Sequence, residues 1–186
     1  AQPFDAAGAD ESEAAFPRLA TPISKYWICK RQPSVAYEAM ECLGGAGFVE
    51  ESPMPRLFRA APLNAIWEGS GNVIALDILR AIGREPASLD AIRREIAAPI
   101  GANAVYDQFI SAAEARLQPA NMQEGAARHL AETLGLALEG AALHRFAPDF
   151  VFDGFCAARL DPAAKSLGYG ASPAKMDQQG LIDRAA

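Results

Sequence analysis

Three cysteines and two histidines are the whole stock of soft metal ligands in this 186-residue sequence. Cys29, Cys42 and Cys156 are odd in number, widely spaced and nowhere arranged as CxxC. That argues against a disulfide scaffold and a zinc module, and for a reducing, cytoplasmic compartment. His129 and His144 stand fifteen positions apart without HExxH spacing and read as helix histidines, so no metal is expected. Long apolar runs are also missing: nothing approaches the roughly 18 residues of a membrane span, and the greasiest stretch, Leu134 to Leu143, is broken by Glu139. Basic charge is short as well, 17 Lys and Arg against 23 Asp and Glu, a net of −6, which disfavours a whole-surface grip on nucleic acid or anionic lipid. The opening AQPFDAAGADESEAAF has neither a basic nor an apolar leader region and is not read as a signal peptide; beginning on Ala1, it reads as a piece of a longer protein.

Strand signals are nearly absent too. There is no clean period-2 alternation and no Asn-Gly or Asp-Gly hairpin turn. With 51% apolar and 22% charged residues, what remains is an all-α helical bundle. Residues 11 to 31 read as an amphipathic helix with Pro17 and Pro22 as kinks, and Pro33 restarts a second helix that stops at Gly44-Gly45-Ala46-Gly47. Ser52-Pro53 opens a short helix carrying Leu57 and Phe58 inward, interrupted at Pro62. Ser70 caps a helix apolar at Val73, Ile74, Leu76, Ile78, Leu79 and Ile82, expected to be buried between neighbours. Glu85-Pro86 reads as a joint between a bundle over 1–85 and a helical extension over 86–186. The extension is expected to hold helices near 87–98, 102–118 and 122–147, the last with Asn121 and Glu124 in capping-box spacing. Its inward face runs Ala127, Leu130, Leu134, Ala137 and Ala141, and a shorter helix with Phe152, Phe155 and Leu160 follows Pro148. The tail SLGYGASPAK reads as irregular.

Two runs are able to carry chemistry, and each has two open readings. In ECLGGAGFVEE, residues 41–51, the glycines either bring backbone N–H groups against a phosphate or simply end a helix. In IWEGSGN, residues 66–72, Glu68 lies between Trp67 and Gly69 just before a capped helix. A carboxyl beside an aromatic ring in a dry site works as a general base, and an amide of the turn polarises a carbonyl. Alternatively Glu68 is an ordinary acidic residue well placed by a helix N-terminus.

Taken in order, these motifs resemble the C-terminal helical domain of the acyl-CoA dehydrogenases, over about residues 20 to 84 without a gap. Gly44, Gly45 and Gly47 match that family's Gln-x-x-Gly-Gly-x-Gly, Arg56, Leu57 and Arg59 its Arg-Leu-x-Arg-Asp, and Trp67-Glu68-Gly69-Ser70 its Tyr-Glu-Gly-Thr. The WEGSGN variant, the upstream YWICKR and the helical tail most resemble the AidB-like branch, associated with the response to DNA alkylation. The resemblance implies a flavoprotein oxidoreductase that desaturates acyl-CoA thioesters, with Glu68 as the base and its N–H on the thioester oxygen. It further implies Trp67 and Gly69 at the acyl group, Ser70 and Asn72 at the adenosine half of FAD, and Gly44, Gly45 and Gly47 at the FAD pyrophosphate across a dimer interface. Implied partners are an electron-transfer flavoprotein and further copies in a homodimer or homotetramer. Glu41 departs from the family glutamine, Ala60 from its aspartate and Trp67 from its tyrosine, which puts a charge near the diphosphate, removes an ion pair and narrows the acyl pocket. The family's N-terminal helical and middle β-domains have no counterpart in these residues, so the piece alone is expected to be inactive. A nucleic-acid role through Arg93, Arg94, Arg128, Arg145 and Arg159 is the competing reading, against 9 basic and 12 acidic residues from 87 onward; a pure oligomerisation module is the third.

Overall fold

The computed structural model describes residues 11–163, 169–173 and 176–185, and among them it is helical throughout, without a strand. Helix α1 spans Glu11–Cys42, α2 Gly45–Phe48 and α3 Met54–Ala60, the last running into a 3₁₀ turn over Ala61–Ala65. Then come α4, Gly71–Arg84, α5, Pro86–Ala97, and α6, Ala104–Arg116. Two 3₁₀ turns lead into α7, Ala127–Phe146; α8, Asp149–Phe155, continues as a π-helical turn over Cys156–Leu160, and α9 covers Gln178–Ala185.

The largest departure from the sequence reading is α1. It is one helix of 32 residues with Pro17, Pro22 and Pro33 inside it, so Pro33 does not restart a second helix. Each interior proline removes a backbone donor at a cost of about 3 kcal/mol. Against that, Leu19, Ile23 and Tyr26 of α1 are buried, each contributing about 1.5–3 kcal/mol, so tertiary burial holds the helix through its breakers. Helix α1 packs against α4, α5 and α7, and its buried side chains meet Ile74, Ile78 and Ile82 of α4, Ile92 and Ile96 of α5 and Leu134 of α7 in one continuous core.

The expected apolar face of α7 is buried as read: Ala127, Leu130, Leu134, Ala137 and Ala141. Close approach is real here, since a Cβ on Gly135 would lie 2.8 Å from the Trp27 ring and one on Gly140 2.6 Å from the Tyr106 ring. Trp27 then reaches across to donate from Nε1 to Glu139 Oε2 at 2.7 Å. The expected capping box does not form. Helix α7 begins at Ala127 with Ala126 as its cap, and Asn121 instead donates Nδ2 to the Ala115 carbonyl at 2.8 Å. Phe152, Phe155 and Leu160 are buried after Pro148 as expected. Half of the SLGYGASPAK tail, all but 169–173, lies outside the described residues.

Candidate functional site

Helix α4 is the platform. Ile74, Ala75, Ile78, Ala81 and Ile82 are buried on one side, while Val73 is 56% exposed, so the helix is not enclosed all round as its composition suggested. Its N-cap is Ser70, extended at φ −69° and ψ 162° as the sequence required, but the Ser70 side chain makes no capping bond.

The turn that feeds this helix is strained. Glu68 has φ +51° and Gly69 φ +105°, two successive left-handed residues. For Glu68 that conformation is uncommon and costs of order 1 kcal/mol or more. Lys25 of α1 holds it. The Lys25 Nζ donates to the carbonyls of Trp67 at 2.6 Å, Glu68 at 3.2 Å and Gly69 at 2.8 Å, taking up all three ammonium protons. One turn upstream, Asn64 Nδ2 donates to Gln32 Oε1 of α1 at 2.7 Å. Among the described residues, the N–H groups of Glu68, Gly69 and Ser70 donate to nothing. Sequence reasoning missed Lys25 altogether, because a lone half-buried lysine more than forty residues upstream of its acceptors leaves no local pattern.

Glu68 and Trp67 are both exposed, so this chain does not itself supply the dry surroundings that a general base needs. Asn72 is exposed as well. In the same stretch of chain the apolar side chains of Leu57, Leu63, Ile66 and Val73 are exposed as well. Leu57 was expected to point inward and does not; in α3 the buried residue is Pro55, and Phe58 leans on Tyr37 with ring centroids 6.2 Å apart. Ser52 bonds the Met54 N–H at 3.2 Å, so the helix begins two residues after it, not at Pro53.

The glycine turn does two things. Gly44 is left-handed at φ +57° and ends α1, and open space surrounds the positions where side chains on Gly44 or Gly45 would stand. Gly47 is buried inside α2, where a Cβ would collide with the Met40 carbonyl; its smallness serves packing. The two parts of the expected site are not together. Lys25, which holds the Glu68 turn, and Cys42, which precedes the glycines, are seventeen residues apart on α1, about 25 Å at the helical rise. Arg59 of the middle motif pairs with Glu50 through contacts of 2.7 and 3.1 Å, so it is ion-paired without an aspartate at position 60. The hydrogen bond to Arg59 holds the Glu50 carboxyl below its usual range.

Among the described residues, two of the surface hollows are the most developed, and neither is lined by Glu68. One of about 350 Å³ is lined by Pro33, Ser34, Tyr37, Glu38, Phe58 and Tyr169; the other, about 300 Å³, lies between α8 and Gly170, Ala171, Ser172, Met176 and Leu181. Among the described residues no group of three or more His, Cys, Asp or Glu is placed to hold a metal, and no helix is long and apolar enough to cross a membrane. Of the arginines considered for nucleic acid, Arg93 is paired with Glu114 and Arg145 with Glu95.

Comparison with known proteins gives a consistent result. Residues 4–83 match the family model described as "Acyl-CoA dehydrogenase, C-terminal domain". Over 153 residues, 82% of the chain, the sequence is 37% identical to "Putative acyl-CoA dehydrogenase AidB" of Escherichia coli (strain K12). It is 28% identical over 164 residues, 78% of the chain, to "Acyl-CoA dehydrogenase family member 11" of Caenorhabditis elegans. The chain spans 28% and 27% of the length of these two relatives. Among solved structures, the apo-form of Bd2924 superposes with a TM-score of 0.61 at 29% identity, over 76% of this chain and 27% of that one. Caenorhabditis elegans ACDH-11 in complex with C11-CoA superposes with a TM-score of 0.65 over 97% of this chain and 34% of that one; at 24% identity it speaks to the fold. With the glycine turn and the Glu68 turn both inside it, the segment 4–83 belongs to the acyl-CoA dehydrogenase C-terminal domain family, and the chain is similar to members of that family over most of its length.

Proposed function

We propose that this chain is the C-terminal part of an FAD-dependent, acyl-CoA dehydrogenase-like oxidoreductase, in which Glu68 removes the α-proton of an acyl-CoA thioester. The observation that carries the reading is the Glu68 turn: a carboxylate in a left-handed backbone at the mouth of α4, with its own N–H free of any acceptor among the described residues. That N–H donates to the thioester oxygen as enolate-like charge develops, while the carboxylate takes the proton from the adjacent carbon. FAD, when bound, supplies the acceptor for the hydride that leaves the β-carbon.

The residues fit such a cofactor at its edges. Ser70 has a hydroxyl unused by its own helix and stands with exposed Asn72 for the adenosine half, and Gly44 and Gly45 offer open backbone for the pyrophosphate. Gly47 acts there indirectly, by letting α2 pack beneath the turn. Some 25 Å along α1 separates the two groups, which favours their serving different cofactors, in a homodimer or homotetramer whose copies share each flavin. Trp67 and Gly69 border the acyl group, and a bulky indole there suits short or branched chains. The walls that keep Glu68 dry come from the domains that precede this one in the family, so the chain by itself is inactive. The family match over residues 4–83 supports a division at about residue 85, with 86–186 as the added helical extension. An electron-transfer flavoprotein is the proposed oxidant of the reduced cofactor, and the cytoplasm its setting.

The test is made on the full-length protein that carries this chain. It is expected to show a flavin spectrum that bleaches anaerobically with a preferred acyl-CoA, and Glu68→Gln is expected to abolish the bleaching. Undiminished bleaching in Glu68→Gln overturns the assignment. A role in the alkylation response with DNA as a partner is the second reading, and the pairing of Arg93 and Arg145 with carboxylates weakens it. Salt-dependent duplex binding would revive it.

A further inference from the structure

We infer that Lys25 is a positioning residue for the reaction at Glu68: it turns the backbone N–H groups of the 68–70 segment outward, toward the thioester oxygen. The inference rests on the function proposed above and adds a residue outside the matched motifs.

In a trans peptide the C=O and the N–H on either side of one C–N bond point in opposite directions. Lys25 Nζ collects the carbonyls of Trp67, Glu68 and Gly69 at 2.6, 3.2 and 2.8 Å. The N–H groups in those same three peptide planes belong to Glu68, Gly69 and Ser70, and they are therefore turned away from the lysine. Each of the three lacks an acceptor among the described residues. The ammonium charge also polarises the three peptides, drawing electron density toward the carbonyl oxygens and leaving the N–H ends stronger donors. Among the described residues no other side chain bonds the carbonyls of the turn that sets Glu68 at φ +51° beside Gly69 at φ +105°. The lysine is anchored for the task, since α1 is pinned on both sides of it by buried Ile23 and Tyr26. Lys25 touches no reacting atom; it acts through the turn.

Two measurements decide it. In the 186-residue chain, the ¹³C carbonyl resonances of Trp67, Glu68 and Gly69 report the lysine's bonds directly, and Lys25→Met is expected to move all three. In the full-length protein, a short-chain acyl-CoA labelled with ¹³C at the thioester carbonyl is bound and its infrared stretch recorded. Wild type is expected to lower the stretch, Lys25→Met to return it toward the value in water, and kcat to fall about 100-fold with KM within a few-fold, the size of losing one oxyanion donor. Lys25→Gln keeps two N–H donors without the charge and guards against a Met variant that does not fold; it is expected to give an intermediate stretch. Unmoved carbonyl resonances, or moved resonances with a wild-type stretch and kcat, overturn the inference. A lowered stretch that depends on Lys25 while Glu68→Gln still turns over normally would uphold Lys25 and remove Glu68 as the base, so the two claims fail separately.

Discussion

Tyr106 and Cys156 share a buried corner of the bundle and give it an alkaline weakness. The Tyr106 hydroxyl divides its proton between the carbonyls of Ile96 at 2.9 Å and Ala137 at 3.2 Å, and burial holds the phenol well above its ordinary range. Burial, with Asp153 nearby, pushes the Cys156 thiol from 9.0 up to about 12. Both groups become anions on losing a proton, so the folded state keeps protons that the unfolded chain releases. Stability from these groups is therefore complete below about pH 9 and declines as pH rises toward 12. Tyr106→Phe is expected to lose about 1 kcal/mol near neutrality, the value of one hydrogen bond, and to show a shallower decline in alkali. Denaturant melts of both proteins on either side of that range check it, and an equally steep decline in the variant would count against the burial argument. The same environment orders the thiols: exposed Cys42 is expected to react first with a disulfide reagent, half-buried Cys29 more slowly, and Cys156 only on unfolding.

At the scale of elements, two helix starts that look alike in sequence behave differently. Asn103 caps α6 with Oδ1 accepting from Val105 and Tyr106 at 2.9 and 3.3 Å, and its Nδ2 also donates to Asp153 at 2.8 Å. Ser70 caps α4 by backbone alone. Asn103→Ala is thus expected to cost about 1–2 kcal/mol of stability, and Ser70→Ala only a few tenths, by thermal or denaturant unfolding. If the proposed function holds, Ser70→Ala pays instead in flavin affinity of the full-length protein. The bundle's periodic helices were legible because burial of one stripe follows directly from spacing, as with Leu130, Leu134 and Ala137. Helix α1 was not, because its continuity through Pro17, Pro22 and Pro33 is decided by contacts with α4, α5 and α7 that no local pattern contains. The site divides the same way. Glu68, Gly69 and Ser70 stand out by motif and turn chemistry, whereas Lys25 comes to them only through the fold. Where Asn121 and Glu124 suggested a capping box, the Ala115 carbonyl six residues back, in the last turn of α6, competed successfully for the asparagine.

Over the whole molecule, the exposed apolar side chains are unevenly spread. Ile28, Val35, Leu43, Phe48, Val49, Leu57, Leu63, Ile66, Trp67 and Val73 all belong to the first half of the chain, where the candidate site lies, whereas in the second half Ile100, Phe146 and Ile182 are the exposed large apolar residues among those described. Exposed apolar surface of that kind marks an interaction site, and the function proposed above sets the other domains of the family against it. The chain alone is accordingly expected to self-associate in light scattering and to bind FAD too weakly to survive gel filtration, while the full-length protein retains it. The role proposed for the Glu68 carboxylate is to move the α-proton of a bound acyl-CoA. Incorporation of deuterium from D₂O into the α-position, followed by mass spectrometry on the full-length protein, tests that step without requiring electron transfer. Rapid incorporation is expected in wild type and none above the uncatalysed background in Glu68→Gln; incorporation at the wild-type rate in Glu68→Gln would contradict that role.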